Sequence, residues 1–118
     1  MKEGGLRAWA LAVALAGAAA ATLGAAGPAA VEVKASRHGF RPATVSLRKG
    51  EGVRIVLTSA DGEHCFAVDG LRIEKRIVPG RATTFELAPD RVGTFPFYCC
   101  LETGKAAETE RGELIVSE

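Results

Sequence analysis

From Val31 onward the chain is a succession of short runs, alternating or rich in β-branched residues, each stopped by Gly, Pro or Asp. Val31–Val33 alternates, and so does Thr44–Leu47, which ends at Lys49-Gly50. Val53–Thr58 is an apolar run closed by Ser59-Ala60-Asp61-Gly62, and Cys65–Val68 stops at Asp69-Gly70. Ala82–Leu87 alternates up to Ala88-Pro89-Asp90, Thr94–Cys100 is rich in aromatics, and Glu113–Ser117 closes the chain. Strands of this length, with turn residues between them, predict an all-β sandwich or barrel. Glu102–Arg111 is the exception: its only β-branched residues are Thr103 and Thr109, and it contains Ala106-Ala107. One or two helical turns inside a loop are expected there.

The first thirty residues are a different material. They hold 13 alanines, with Lys2 and Arg7 ahead of an uncharged run from Ala8 to Val31. A basic start, an apolar stretch and the small exit residues Gly24-Ala25-Ala26 read as a secretory signal cut after Ala26. The rival reading is an uncleaved membrane tether over residues 8–26, which is long enough to span a bilayer. Few Leu or Ile lie in that run, which favours the signal. The run has no polar face, which argues against an amphipathic helix of the folded domain. The expected organisation is a helical signal or anchor at 1–26, a linker at 27–30 and a β domain at 31–118. Cleavage would remove Lys2, Glu3 and Arg7 and leave a neutral chain, so no electrostatic case exists for a nucleic-acid partner. Export, to the periplasm or another extracytoplasmic space, would put the three cysteines in an oxidising compartment.

Residues with metal or redox chemistry gather in two places, Asp61-Gly62-Glu63-His64-Cys65-Phe66 and Phe97-Tyr98-Cys99-Cys100-Leu101-Glu102. A thiolate and an imidazole from separate strands, joined by a carboxylate, form a borderline-soft ligand set that suits copper or zinc. Taken alone, His64 is more simply a surface or hydrogen-bonded core histidine. Three cysteines in an exported chain are more simply one disulfide and one leftover thiol. No Cys-x-x-Cys motif supports thioredoxin-type chemistry. No Ser-His-Asp set, phosphate loop or carboxylate pair stands out, and the chain is not expected to be an enzyme.

The order of motifs resembles the cupredoxin superfamily. Phe40-Arg41-Pro42, Gly50, Val53–Leu57 and Asp61-x-x-His64-x-Phe66-x-Val68 carry the first half of the likeness. Val78-Pro79-Gly80-Arg81, Phe85, Gly93-Thr94-Phe95-x-Phe97-Tyr98-Cys99 and Gly112-Glu113-Leu114-Ile115-Val116 carry the second. The likeness covers about residues 31–117 and is strongest to the copper-binding part of cytochrome oxidase subunit II and to small exported cupredoxin-like proteins. It implies a Greek-key β-sandwich that binds copper.

The ligand set departs from that pattern. In dinuclear relatives the loop reads Cys-x-x-x-Cys-x-x-x-His-x-x-Met, and from Cys99 these positions fall on Cys99, Thr103, Ala107 and Glu110. In mononuclear relatives it begins Cys-x-x-His, which falls on Cys99 and Glu102. The only methionine is Met1, so the domain has no thioether ligand. What the resemblance carries over is His64 and Cys99. Glu102, in the position of the second histidine, and His38, in the loop before Phe40, are the candidates to complete a site for one copper ion. Glu108 and Glu110 are expected mainly as solvated loop charges, with a weaker prospect of reaching back to the metal.

The resemblance also bears on the other thiols. Cys65 and Cys100 each follow an inherited ligand position, so strand alternation turns them away from the site. Since the two ligand strands are neighbours in cupredoxins, a Cys65–Cys100 disulfide is implied, with Cys99 free. A vicinal Cys99–Cys100 bridge and three reduced, metal-binding thiols stay open as alternatives. The implied role is electron transfer or copper handling with a redox partner, or with a copper donor or acceptor. The rival is a metal-free, degenerate cupredoxin domain serving as an accessory module.

Overall fold

The computed structural model describes residues 27–118. The expected signal or anchor at 1–26, and with it a tether over 8–26, lies outside the described residues. Among the described residues no helix is long and apolar enough to cross a membrane.

Among the described residues nine strands form two sheets: β1 (Ala29–Ser36), β2 (Gly39–Arg41), β3 (Thr44–Arg48), β4 (Val53–Ser59), β5 (His64–Val68), β6 (Ile73–Ile77), β7 (Thr83–Leu87), β8 (Gly93–Tyr98) and β9 (Arg111–Ser117). One sheet has the order β2-β1-β4-β7 and the other β3-β9-β8-β5-β6. A short helix, α1 (Lys105–Thr109), occupies the segment expected to hold a helical turn. β1 starts at Ala29, inside the stretch expected as a linker, because Ala29 and Ala30 already pair with Val53 and Arg54 of the parallel strand β4.

Alternation decides what faces inward. β3 buries Val45 and Leu47 and exposes Thr44, Ser46 and Arg48, while β4 buries Val53, Ile55 and Leu57. β6, absent from the sequence reading, carries three consecutive charges, Glu74-Lys75-Arg76, which mask its pattern. It is an edge strand, where charged side chains also discourage pairing with other chains.

Phe40, Phe66 and Phe97 form the aromatic centre, with ring centroids 4.8 to 6.0 Å apart. Phe66 and Phe97 are fully buried, and each burial contributes on the order of 1.5–3 kcal/mol. Opposite Phe97 stands Gly112. A Cβ there would collide with the Phe97 ring and the Ala43 carbonyl, so this inward position has room only for glycine.

Candidate metal centre

The same alternation places the site. β5 and β8 are antiparallel neighbours through Ala67 and Tyr98. His64 lies two residues before Phe66 in β5, and Cys99 lies two residues after Phe97 beyond the end of β8. Both side chains therefore share the inward face of the core phenylalanines, at one end of the sandwich. Continuing the Ala67–Tyr98 register by two residues in each strand sets Cys65 opposite Cys100 on the other face. These two are joined in a disulfide with Cα atoms 5.2 Å apart, and Cys99 is a free, buried cysteine.

The β8–β9 hairpin supplies the next group. Tyr98 pairs with Arg111, and one step further the Cys99 amide donates to the Glu110 carbonyl at 3.1 Å. Glu110 is thus the cross-strand partner of Cys99 and shares its inward face. It is 1% exposed. The expectation of a solvated loop charge at Glu110 is therefore wrong, whereas Glu108 is exposed as expected. A readable signal did exist: Leu114 and Val116 face inward, and the stripe Glu110-x-Gly112-x-Leu114-x-Val116 runs backward to a carboxylate.

His64 sits between two carboxylates. Its Nε2 lies 2.6 Å from Asp61 Oδ1 and its Nδ1 lies 2.8 Å from Glu110 Oε1. Asp61 is itself fixed, since it accepts the backbone N–H of Arg37 at 2.9 Å and of Gly62 at 2.6 Å. The His64 hydrogen bond, together with these two amides, holds the Asp61 carboxyl well below the usual carboxylate range. In the neutral imidazole, Nε2–H donating to Asp61 leaves the Nδ1 lone pair facing Cys99 and Glu110.

The other donors stand close by. Cys99 Sγ is 4.0 Å from His64 Nδ1 and accepts the Cys65 N–H at 3.3 Å. Glu102 is half-buried, and its amide donates to the Cys99 carbonyl at 3.3 Å, which turns the chain tightly after the cysteine. One ligand atom from each of His64, Cys99, Glu102 and Glu110 falls within 4.8 Å of all the others. The structure thus brings together three of the four metal ligands expected from sequence. His38 is not among them: it is exposed in the β1–β2 turn, where its amide donates to Ser36 Oγ at 3.1 Å.

Burial makes this cluster electrostatically uncomfortable as it stands. Desolvation pushes the Cys99 thiol up and the Glu110 carboxyl up from their ordinary values, and the neighbouring Glu102 charge adds to the shift on Glu110. Despite its proximity to His64, neither buried Glu110 oxygen has a partner in hydrogen-bonding geometry among the described residues. Buried polar groups are normally paired, and a set of orphaned and convergent donors is what a cation would satisfy. Thiolate, imidazole and carboxylate together fit copper, which accepts nitrogen, sulfur and oxygen ligands.

Comparison with known proteins agrees with this architecture. A family model described as a cupredoxin-like domain matches residues 6–116. A probable cytochrome c oxidase subunit 2 from Streptomyces avermitilis is 41% identical over 56 residues, covering 48% of this chain and 18% of that protein. Cytochrome c oxidase subunit 2 from Thermus thermophilus is 27% identical over 88 residues, covering 75% of this chain and 65% of that protein. The chain therefore spans less than two thirds of the length of these relatives. Among solved structures, the periplasmic domain of subunit II of cytochrome oxidase from Bradyrhizobium japonicum superposes with a TM-score of 0.67. It is 16% identical, and the match covers 76% of this chain and 84% of that one, a likeness of fold.

Proposed function

The chain belongs to the cupredoxin-like domain family, and from that premise we propose that it binds one copper ion through His64, Cys99, Glu102 and Glu110. It works outside the cytoplasm in electron transfer or copper handling, as a carrier and not as an enzyme. Its partner is a redox protein, or a donor or acceptor of copper.

The observation that carries this reading is the convergence of four donor atoms within 4.8 Å, with a buried carboxylate that sits 2.8 Å from His64 Nδ1 yet has no partner in hydrogen-bonding geometry among the described residues. Bound copper would supply a one-electron redox couple or a transferable cargo. Cys99 provides the thiolate, once its proton is lost. His64 provides Nδ1, with its ring held by the Asp61 hydrogen bond. Glu102 and Glu110 add oxygen donors from the two ends of one loop. The disulfide and the β8–β9 hairpin fix the ends of that loop, which limits the rearrangement needed when the ion's charge changes.

The test is to titrate the full chain with Cu(II) and with Cu(I), following stoichiometry, visible absorption and electron paramagnetic resonance. One copper per chain is expected, with a thiolate-to-copper band in the Cu(II) form that disappears in Cys99→Ser. A folded protein that binds neither ion at micromolar concentration would refute the reading and assign the domain to the metal-free accessory role.

A further inference from the structure

Copper has two common valences, and the donor set discriminates between them. Soft sulfur ligands select Cu(I), whereas oxygen and imidazole suit divalent ions. This domain holds very little soft sulfur. The only methionine of the chain is Met1, outside the domain. Cys65 and Cys100 are consumed in the disulfide, and Cys99 is the free cysteine. One thiolate is thus surrounded by one imidazole and two carboxylates.

Charge points the same way. Metal ligands must give up their protons, so with an ion bound Cys99, Glu102 and Glu110 would carry three negative charges, and Asp61 adds a fourth carboxylate on the far side of the His64 ring. Among the described residues no lysine or arginine forms an ion pair with Glu102, Glu110 or Asp61. A monovalent ion would leave two uncompensated negative charges on the ligand set, and a divalent ion would leave one. In a site whose members are buried or half-buried, each uncompensated charge is costly.

We infer that Glu102 and Glu110 make this centre selective for divalent over monovalent ions, so that Cu(II) and Zn(II) are its guests and Cu(I) is disfavoured. The inference rests on the metal-binding reading proposed above and names the class of ion that this site takes. As copper handling, it means that the protein would hold Cu(II) more tightly than Cu(I).

The experiment titrates the full, disulfide-intact chain with Cu(II), Zn(II) and, under anaerobic conditions, Cu(I), each against a competing chelator. Wild type, Glu110→Gln, Glu102→Gln and Cys99→Ser are compared, with folding of each checked by circular dichroism. Each Gln variant should weaken Cu(II) and Zn(II) binding by about 10-fold or more, while the Cu(I) affinity holds or rises. If both Gln variants weaken Cu(I) as much as the divalent ions, the selectivity is overturned, while loss of binding in Cys99→Ser still upholds the site. If wild type binds none of the three ions, both readings fall.

Discussion

Glu110 is the residue at which this structure is most exposed to refutation. Its carboxylate is buried, neither oxygen has a partner in hydrogen-bonding geometry among the described residues although Oε1 lies 2.8 Å from His64 Nδ1, and desolvation raises its pKa above the ordinary value of 4.5. In the metal-free protein an ionised Glu110 should therefore work against folding. Leaving a buried polar group unsatisfied costs about 1–3 kcal/mol, and more for a charged one. Glu110→Gln removes the charge, keeps the shape, and gives an amide able to donate toward Cys99 Sγ or His64 Nδ1. The variant should accordingly be more stable than the metal-free wild type by about 1–3 kcal/mol at pH 8.

The pH dependence follows from linkage. Because the native pKa of Glu110 lies above the unfolded one, between the two the native state holds more protons, and wild-type stability falls as pH rises. Below 4.5 both states are protonated and this term vanishes. The stability difference between variant and wild type should thus be near zero around pH 4 and grow as pH rises. Urea denaturation of chelator-treated protein across this range measures it directly. Metal should reverse the order: at about 100 times Kd, a bound ion adds about 2.7 kcal/mol to wild type. A Glu110→Gln protein that is less stable than wild type at pH 8, with an unchanged pH slope, would show that the carboxylate is satisfied in the fold and would sink the argument.

Two further perturbations test the surroundings of the site. Asp61→Asn keeps an acceptor for the imidazole but removes its charge, so metal affinity should fall about 10- to 100-fold in a chelator competition. The ring nitrogen chemical shifts of His64 should change as well; if both stay put, Asp61 is only a turn residue. Replacing Cys65 and Cys100 together by serine removes a crosslink between residues 35 apart in sequence, which should cost roughly 3–4 kcal/mol in urea denaturation. Peptide mapping without reduction should find Cys99 alkylatable in the unfolded wild type, and a crosslink containing Cys99 would contradict the pairing.

Much of the fold is legible in the sequence because inward and outward residues alternate. Thr44–Leu47 and Val53–Thr58 announce their strands, and both are where the pattern puts them. β6 is not announced, because an edge strand tolerates Glu74-Lys75-Arg76 without losing its backbone pairing to β5. β2 is only three residues long and leaves no period to detect. The site divides in the same manner. His64 and Cys99 are marked by chemistry and by their distance from Phe66 and Phe97. Glu102 is marked by its spacing from Cys99. Glu110 lies on the inward stripe that ends in Leu114 and Val116, but that stripe does not say that its carboxylate meets Cys99 and His64, and a carboxylate beside a surface helix ordinarily belongs to solvent.

By itself, then, the sequence determined the class of fold, the identity of the soft donors and the lack of a thioether in the domain, since these follow from residue type and alternation. Only the tertiary structure decided which carboxylates share the centre. It left His38 exposed in a turn, apart from the other donors, and it brought Glu110 to them through the hairpin pairing opposite Cys99. The physical reason is that spacing along a chain fixes the face on which a side chain lies. Only strand pairing fixes which distant faces meet, and which charges lose their water there.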